Sequence, residues 1–204
     1  LYECNENCDC DKDCLNRVTQ QPRTYPLTIF KTSNGRGWGV KAASAIPRGT
    51  FLMEYTGEII DQEESIRRGE KQDERGQQYM FDLDYTEDFE AVHTIDAANF
   101  GNLSRLINHN CEPNCFIWPV TTCNQDPSIY KLCYFTNQPI KAGKELSIDY
   151  TGAIVLDDND ENENEADLDN SMAETAGNII SHRHQKKTIE CKCGSANCRG
   201  SMFF

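Results

Sequence analysis

Short apolar runs broken by glycine and proline recur along this chain from Pro26 onward. Leu27–Phe30 and Trp38–Ala42 come first. Phe51–Ile60 follows and alternates, with Phe51, Met53, Tyr55 and Ile59 on one face and Glu54, Thr56 and Glu58 on the other. A period of two describes a half-buried strand, which turns Tyr55 inward. Asp61, with Glu64 three residues on, is a capping-box start for a helix that fades near Gly69, before a loop over Arg75–Gln78. Further strand-like runs lie at Tyr79–Asp84, Val92–Asp96, Cys115–Thr122, Lys131–Thr136 and Glu145–Ile148, the last preceded by a turn at Lys141–Gly143. Many short strands with few, short helices predict a mostly β fold with a crowded interior.

Residues 155–188 interrupt the pattern. Nine acids and no base fall within 157–174, then His182–Lys187 is basic. A solvated, disordered connector is the reading such charge favours, over a regulatory or partner-binding insert. This tract also explains the formal net charge of −13 over 204 residues, because the remainder holds 24 acidic against 20 basic residues. Near-balance leaves direct nucleic-acid binding open. No run approaches the roughly 18 apolar residues of a membrane helix, and Leu1–Cys4 lacks the charged-then-apolar order of a signal peptide. A soluble protein with no membrane role is the expectation.

Seven of the 11 cysteines cluster at the ends: Cys4, Cys8, Cys10 and Cys14 in one group, Cys191, Cys193 and Cys198 in the other, with Cys111, Cys115, Cys123 and Cys133 scattered between. End-clustered C-x-C spacing and an odd total favour zinc thiolates over disulfides. Cys115, Cys123 and Cys133 read as buried thiols.

Three separated signals belong together: Gly-Arg-Gly-Trp-Gly-Val at 35–40, Arg-Leu-Ile-Asn-His-Asn-Cys-Glu-Pro-Asn at 105–114, and Glu-Leu-Ser-Ile-Asp-Tyr at 145–150. In that order they resemble the SET-domain protein lysine methyltransferases. C-x3-C-x-C-x3-C before Asn16-Arg17 resembles the end of a pre-SET zinc motif, and C-x-C-x4-C-Arg-Gly at 191–200 a post-SET motif. That combination is similar to the heterochromatin-type enzymes that methylate lysine 9 of histone H3. The resemblance implies a fold of several small sheets with a threaded, knot-like C-terminal segment and zinc-stabilised flanks. It divides the chain into a truncated pre-SET motif (1–16), a SET catalytic domain (17–154), the insert (155–188) and a post-SET motif (189–204). It also implies S-adenosylmethionine and zinc as cofactors, the histone H3 tail and heterochromatin proteins as partners, and a nuclear location. A related enzyme acting on another lysine, or a catalytically quiet module that binds histone tails, are the competing readings.

The chemistry sets its own demands. Only a neutral amine can attack, and a free lysine near pH 7 is neutral roughly once in two thousand molecules, a deficit of about 4–5 kcal/mol. A dry aromatic channel disfavours the ammonium. The resemblance implies Tyr150 beside the transferring methyl and Tyr55 lining the lysine channel. It implies Arg36, Gly37, Trp38, Tyr79, Arg105, Asn108 and His109 around S-adenosylmethionine, with Phe203 capping it. Cys111 would complete a zinc site with Cys191, Cys193 and Cys198, one thiolate short of tetrahedral closure by themselves. Cys4, Cys8, Cys10 and Cys14 could close one site, although relatives spread nine such cysteines over a three-zinc cluster. Asp82 and Asp84 would meet a basic peptide added along a strand edge. Ile148 stands where the family carries phenylalanine or tyrosine, which sets the methylation degree. Lacking a hydroxyl to hold a water, it leaves di- and trimethylation permitted.

Overall fold

The computed structural model describes residues 1–74, 76, 79–83, 92–122, 128–151 and 188–203, with Phe203 as backbone only. Described strands fall into five small sheets. β1 (Leu27–Lys31) and β2 (Trp38–Ala42) form a hairpin. β3 (Phe51–Glu54), β9 (Lys131–Thr136) and β8 (Cys115–Val120) form one antiparallel sheet in that order. β4 (Glu58–Asp61), β6 (His93–Asp96) and β5 (Met80–Leu83) form a second. β7 (Asn108–His109) and β10 (Ser147–Ile148) run parallel side by side, and β11 (Thr188–Glu190) pairs with β12 (Ser201–Phe203). No described helix is long and apolar enough to cross a membrane.

The main core gathers residues from four of the five described sheets, the β11–β12 pair contributing none. Val40, Leu52, Leu83, Ile107, Leu132, Tyr134, Leu146 and Ile148 are buried together, with Tyr55 among them as the alternation predicts. The single strand expected over Phe51–Ile60 is two, however. It stops at Glu54, resumes at Glu58, and the halves join different sheets. Gly57 forces the break. It lies so close to β6 that a Cβ there would sit 2.5 Å from the Asp96 carbonyl oxygen. The alternation is therefore lost across it: Ile59 is 50% exposed, and Ile60 is buried instead.

Helix α1 (Gln62–Glu74) begins where expected, the Asp61 carboxylate accepting from the Glu64 N–H at 2.9 Å. It runs past Gly69, and Glu64 turns to Arg67 and Arg68 rather than back to the cap. Polar contacts carry the helix beyond the point where apolar spacing fades. Arg68 bonds Glu58 and the fully buried Asp96, both at 2.9 Å. One turn on, buried Gln72 donates to Asp96 at 2.9 Å and accepts from the Tyr79 N–H at 3.0 Å. Gln72→Leu would remove one of Asp96's donors and strand the Tyr79 N–H. Such orphaned groups cost about 1–3 kcal/mol, which a urea unfolding midpoint should register. The anticipated loop at Arg75, Gln77 and Gln78, the 155–187 part of the insert, Cys123 and Asp84 lie outside the described residues.

Candidate functional site

One cavity of about 640 Å³ collects residues from across the chain: Arg36, Gly37 and Trp38 from the β1–β2 turn, Tyr79 before β5, Arg105, Asn108 and His109 from the middle, and Tyr150 after β10. Ile189, Cys191, Cys193 and Met202 complete it from the C-terminal segment. Gly37 takes φ +78° at the turn, a conformation other residues adopt at a cost. Gly39 serves packing: a Cβ would lie 2.9 Å from both Glu145 Oε1 and the Phe30 ring. Trp38 stands half exposed at the rim.

Charge in the cavity is arranged around two guanidinium groups. Arg36 donates to Glu145 at 2.7 Å and to Asn34 at 3.0 Å, while its Nη1 is buried with no partner among the described residues. Arg105 lies over the Tyr79 ring at 4.1 Å, and its Nε is likewise buried and unpartnered. Buried donors without acceptors are rare, and two at one cavity suit a ligand that brings acceptors, such as an amino-acid carboxylate. Glu145, which sequence reasoning passed over as part of a strand, also accepts from Asn108 Nδ2 at 2.9 Å. It opens the Glu-Leu-Ser-Ile-Asp-Tyr motif, which marks the position but not its partners, since those lie far along the chain. Asn108 spends that same nitrogen on the Trp38 carbonyl at 3.0 Å.

Tyr150 is held from both ends. Its hydroxyl donates to the Ile107 carbonyl at 2.7 Å, and its N–H donates to His109 Nδ1 at 3.1 Å. Burial pushes its phenol pKa well above the ordinary value, so the group is neutral near pH 7. Burial likewise holds His109 down at about 4, against an opposing pull from Asp149. The neutral ring accepts at Nδ1 and presents Nε2–H to Cys111 Sγ, 3.3 Å away. Tyr55 is buried too, its hydroxyl donating to the Tyr79 carbonyl at 2.7 Å.

Cys111, Cys191, Cys193 and Cys198 converge, with all four sulfurs within 4.8 Å of one another and Cys111–Cys191 at 3.7 Å. Zinc bonded tetrahedrally at about 2.3 Å needs sulfurs about 3.8 Å apart, so this donor set fits the ion. At the N-terminal end, Cys4, Cys10 and Cys14 cluster, but Cys8 does not join them. Its exposed thiol faces Asn5 instead. A single closed site of these four is therefore not formed: the tight turn that brings Cys10 and Cys14 to Cys4 leaves Cys8 outward. Asn16 and Arg17 donate to Cys4 and Cys10 at 3.4 and 3.5 Å, and Arg17 draws the Cys10 thiol below its usual range. Cys115 and Cys133 are buried thiols pushed up to about 12 by burial.

Of the remaining predicted residues, Asp82 on β5 accepts from Thr94 across the pair at 2.6 Å, and Ile148 is buried in the core beside Tyr150. Phe203 is placed by its backbone, paired with Thr188; Met202 supplies the described side chain at the cavity.

Small sheets around a cavity roofed by a cysteine-bearing segment define a SET domain. The SET-domain family model matches residues 37–151, and the chain belongs to this family. It is 45% identical to the histone-lysine N-methyltransferase SUV39H1-A of Danio rerio over 203 residues, which is 100% of this chain and 47% of that protein. It superposes on Arabidopsis thaliana SUVH6 in complex with SAM at a TM-score of 0.70–0.71 with 34% identity, covering 98% of this chain and 37–38% of that one. KRYPTONITE in complex with mCHH DNA, an H3(1-15) peptide and SAH gives a TM-score of 0.69 at 27% identity, covering 98% of this chain and 34% of that one. The chain spans less than half the length of the curated relatives it matches.

Proposed function

We propose that this chain is the catalytic part of a histone-lysine methyltransferase that moves methyl groups from S-adenosylmethionine to lysine 9 of the histone H3 tail. The observation that carries it is Tyr150, whose hydroxyl is fixed on the Ile107 carbonyl at the wall of the cavity roofed by the four-thiol segment. Homology to histone-lysine methyltransferases and likeness to an H3-peptide complex support the substrate.

In this reading S-adenosylmethionine supplies an electron-poor methyl on a cationic sulfonium. Arg36 and Arg105 hold acceptor groups of that molecule with their unpartnered nitrogens, while Trp38, Tyr79, Asn108 and His109 shape its bed. Tyr150, its proton committed to Ile107, presents an oxygen that can meet a positively polarised methyl and orient the attacking amine. Tyr55 walls the lysine channel and keeps it dry, which disfavours the ammonium form. The amine's proton leaves through water, because a neutral buried phenol is no base. Zinc on Cys111, Cys191, Cys193 and Cys198 keeps the roof in place, and Cys4, Cys8, Cys10 and Cys14 belong to a zinc cluster at the other end. Asp82 and Asp84 receive the basic tail. Residues 17–154 form the catalytic body, with zinc-bearing flanks at 1–16 and 189–204 and the charged insert 155–188 joining body to tail. In this reading the protein acts on chromatin in the nucleus, with heterochromatin proteins as its neighbours.

Radiolabelled methyl transfer to H3 tail peptides, with lysine 9 intact or replaced by alanine, tests this. Label lost only with the replaced peptide is expected. Equal labelling of both indicates another lysine, and cofactor binding without labelling indicates a binding module. Mass spectrometry of the product should find di- and trimethyl-lysine, since the aliphatic Ile148 holds no water in the methyl-exit space. Monomethyl-lysine alone would refute that part.

A further inference from the structure

The C-terminal segment is fastened to the body by more than thiols. Asn34 donates to the Lys192 carbonyl at 2.8 Å, and Asn197 to Glu112 at 2.6 Å. Arg199 makes the strongest of these contacts. Its two terminal nitrogens reach both oxygens of Asp149, at 2.8 and 2.7 Å, in the parallel fork that guanidinium and carboxylate form best. The Asp149 side chain is only 3% exposed. Thr151 bonds the same carboxylate through its N–H at 2.9 Å and its hydroxyl at 2.8 Å. Asp149 is thus gripped from the tail on one side and from the far side of residue 150 on the other.

Between those grips sits Tyr150. Its N–H is spent on His109 and its hydroxyl on Ile107. The thiols join the tail to the 108–111 segment through Cys111, and His109 stands between that thiol and the 149–151 turn from which Tyr150 projects. The Arg199–Asp149 pair joins the tail to that turn directly. We infer that Arg199 is a positioning residue for Tyr150, acting through Asp149, so that docking of the tail and setting of the tyrosine occur together. This rests on the methyltransferase reading for its catalytic consequence, though not for its geometry.

A buried carboxylate that loses its one cation must seek water or other donors, and the turn carrying it moves to do so. Displacement of a reacting group by a fraction of an ångström to an ångström lowers turnover far more than it alters binding elsewhere. The backbone N–H of Arg199 lies 3.4 Å from Cys111 Sγ and survives side-chain replacement, but the guanidinium also faces that thiol, so zinc per chain is counted for every side-chain variant. A lysine keeps one contact but not the fork.

The experiment compares the zinc-loaded full chain with Arg199→Ala, Arg199→Lys, Asp149→Asn and the Arg199→Ala/Asp149→Asn double variant. Zinc per chain, kcat, the KM values for the H3 tail peptide and for S-adenosylmethionine, and hydrogen exchange of the Tyr150 and Thr151 amides are measured. For Arg199→Ala the expected result is unchanged zinc, kcat lower by about tenfold or more, cofactor KM within about threefold, and faster exchange at both amides. Arg199→Lys should fall between, and the double variant should be no worse than the worse single. Retained kcat with both amides still protected overturns the inference, as does a loss in proportion to zinc, or losses that multiply in the double variant. Should the wild-type chain transfer no methyl to any lysine peptide, the methyltransferase reading fails while the exchange measurement still decides the latch.

Discussion

Tyr150→Phe should lower kcat for methyl transfer by about 100- to 1,000-fold, the range seen when one preorganised polar contact is deleted from a reacting centre. The dissociation constant for S-adenosylmethionine should barely change, since Arg36, Trp38, Tyr79 and Arg105 also line that cavity and are untouched. The hydroxyl lost is the one bonded to the Ile107 carbonyl at 2.7 Å. Its removal leaves a carbonyl short of a donor, costing about 1–3 kcal/mol of stability. Unfolding measured beside the kinetics separates that cost from the catalytic one, because a folded, cofactor-binding, inactive protein is the expected outcome. Raising the pH should not restore the variant. Burial pushes the Tyr150 phenol well above the ordinary range, so the wild-type group works as a neutral hydroxyl, and no phenolate is being replaced. A variant with near-normal kcat would remove Tyr150 from the centre of the mechanism.

Zinc removal should have a comparably large effect. A strong chelator is expected to release the ion from Cys111, Cys191, Cys193 and Cys198, expose the 188–203 segment to limited proteolysis, and stop methyl transfer. The reason is geometric. Ile189, Cys191, Cys193 and Met202 wall the cavity from a segment whose own strand pair, β11–β12, has exposed residues along β11 and little core of its own. Structural zinc supplies about 10–16 kcal/mol in small metal-dependent folds, far beyond what two three-residue strands provide. Cys111→Ser tests the same coupling at one atom, removing a thiolate ligand while leaving a hydroxyl acceptor facing His109 Nε2. Activity should fall about a hundredfold or more, at the upper end of what even outer-shell changes at metal sites cost. Full activity after verified zinc loss would contradict the shared site.

Local chemistry made much of this legible in the chain. β2 and β9 lie where alternation and turn residues put them, and Tyr55 is inside as its neighbours require. The cavity gathers Arg36, Gly37, Trp38, Tyr79, Arg105, Asn108, His109 and Tyr150, which the motifs had singled out in four distant stretches. Resemblance did this work, because a motif preserves a site's members even when they lie far apart. What depends on a neighbour from elsewhere was not legible. The alternation from Phe51 to Ile60 fails at Gly57, where the Asp96 backbone presses against it. Cys8 has the spacing of a partner to Cys4, Cys10 and Cys14, but the path of the turn faces it outward. Glu145 read as a strand residue, and only the fold makes it the anchor of Arg36 and Asn108.

The division has a physical basis. Residue types and their periods are properties of short stretches, and these determined the strand-rich architecture, while end-clustered thiols pointed to zinc and the resemblance named the candidates for chemistry. Tertiary structure alone brought Arg199 onto Asp149, across 50 positions of chain, and set Ile107, His109 and Tyr150 in one hydrogen-bonded frame. A buried charge or hydroxyl takes its partner from whatever packing delivers within about 3 Å, and no local pattern encodes that partner's address.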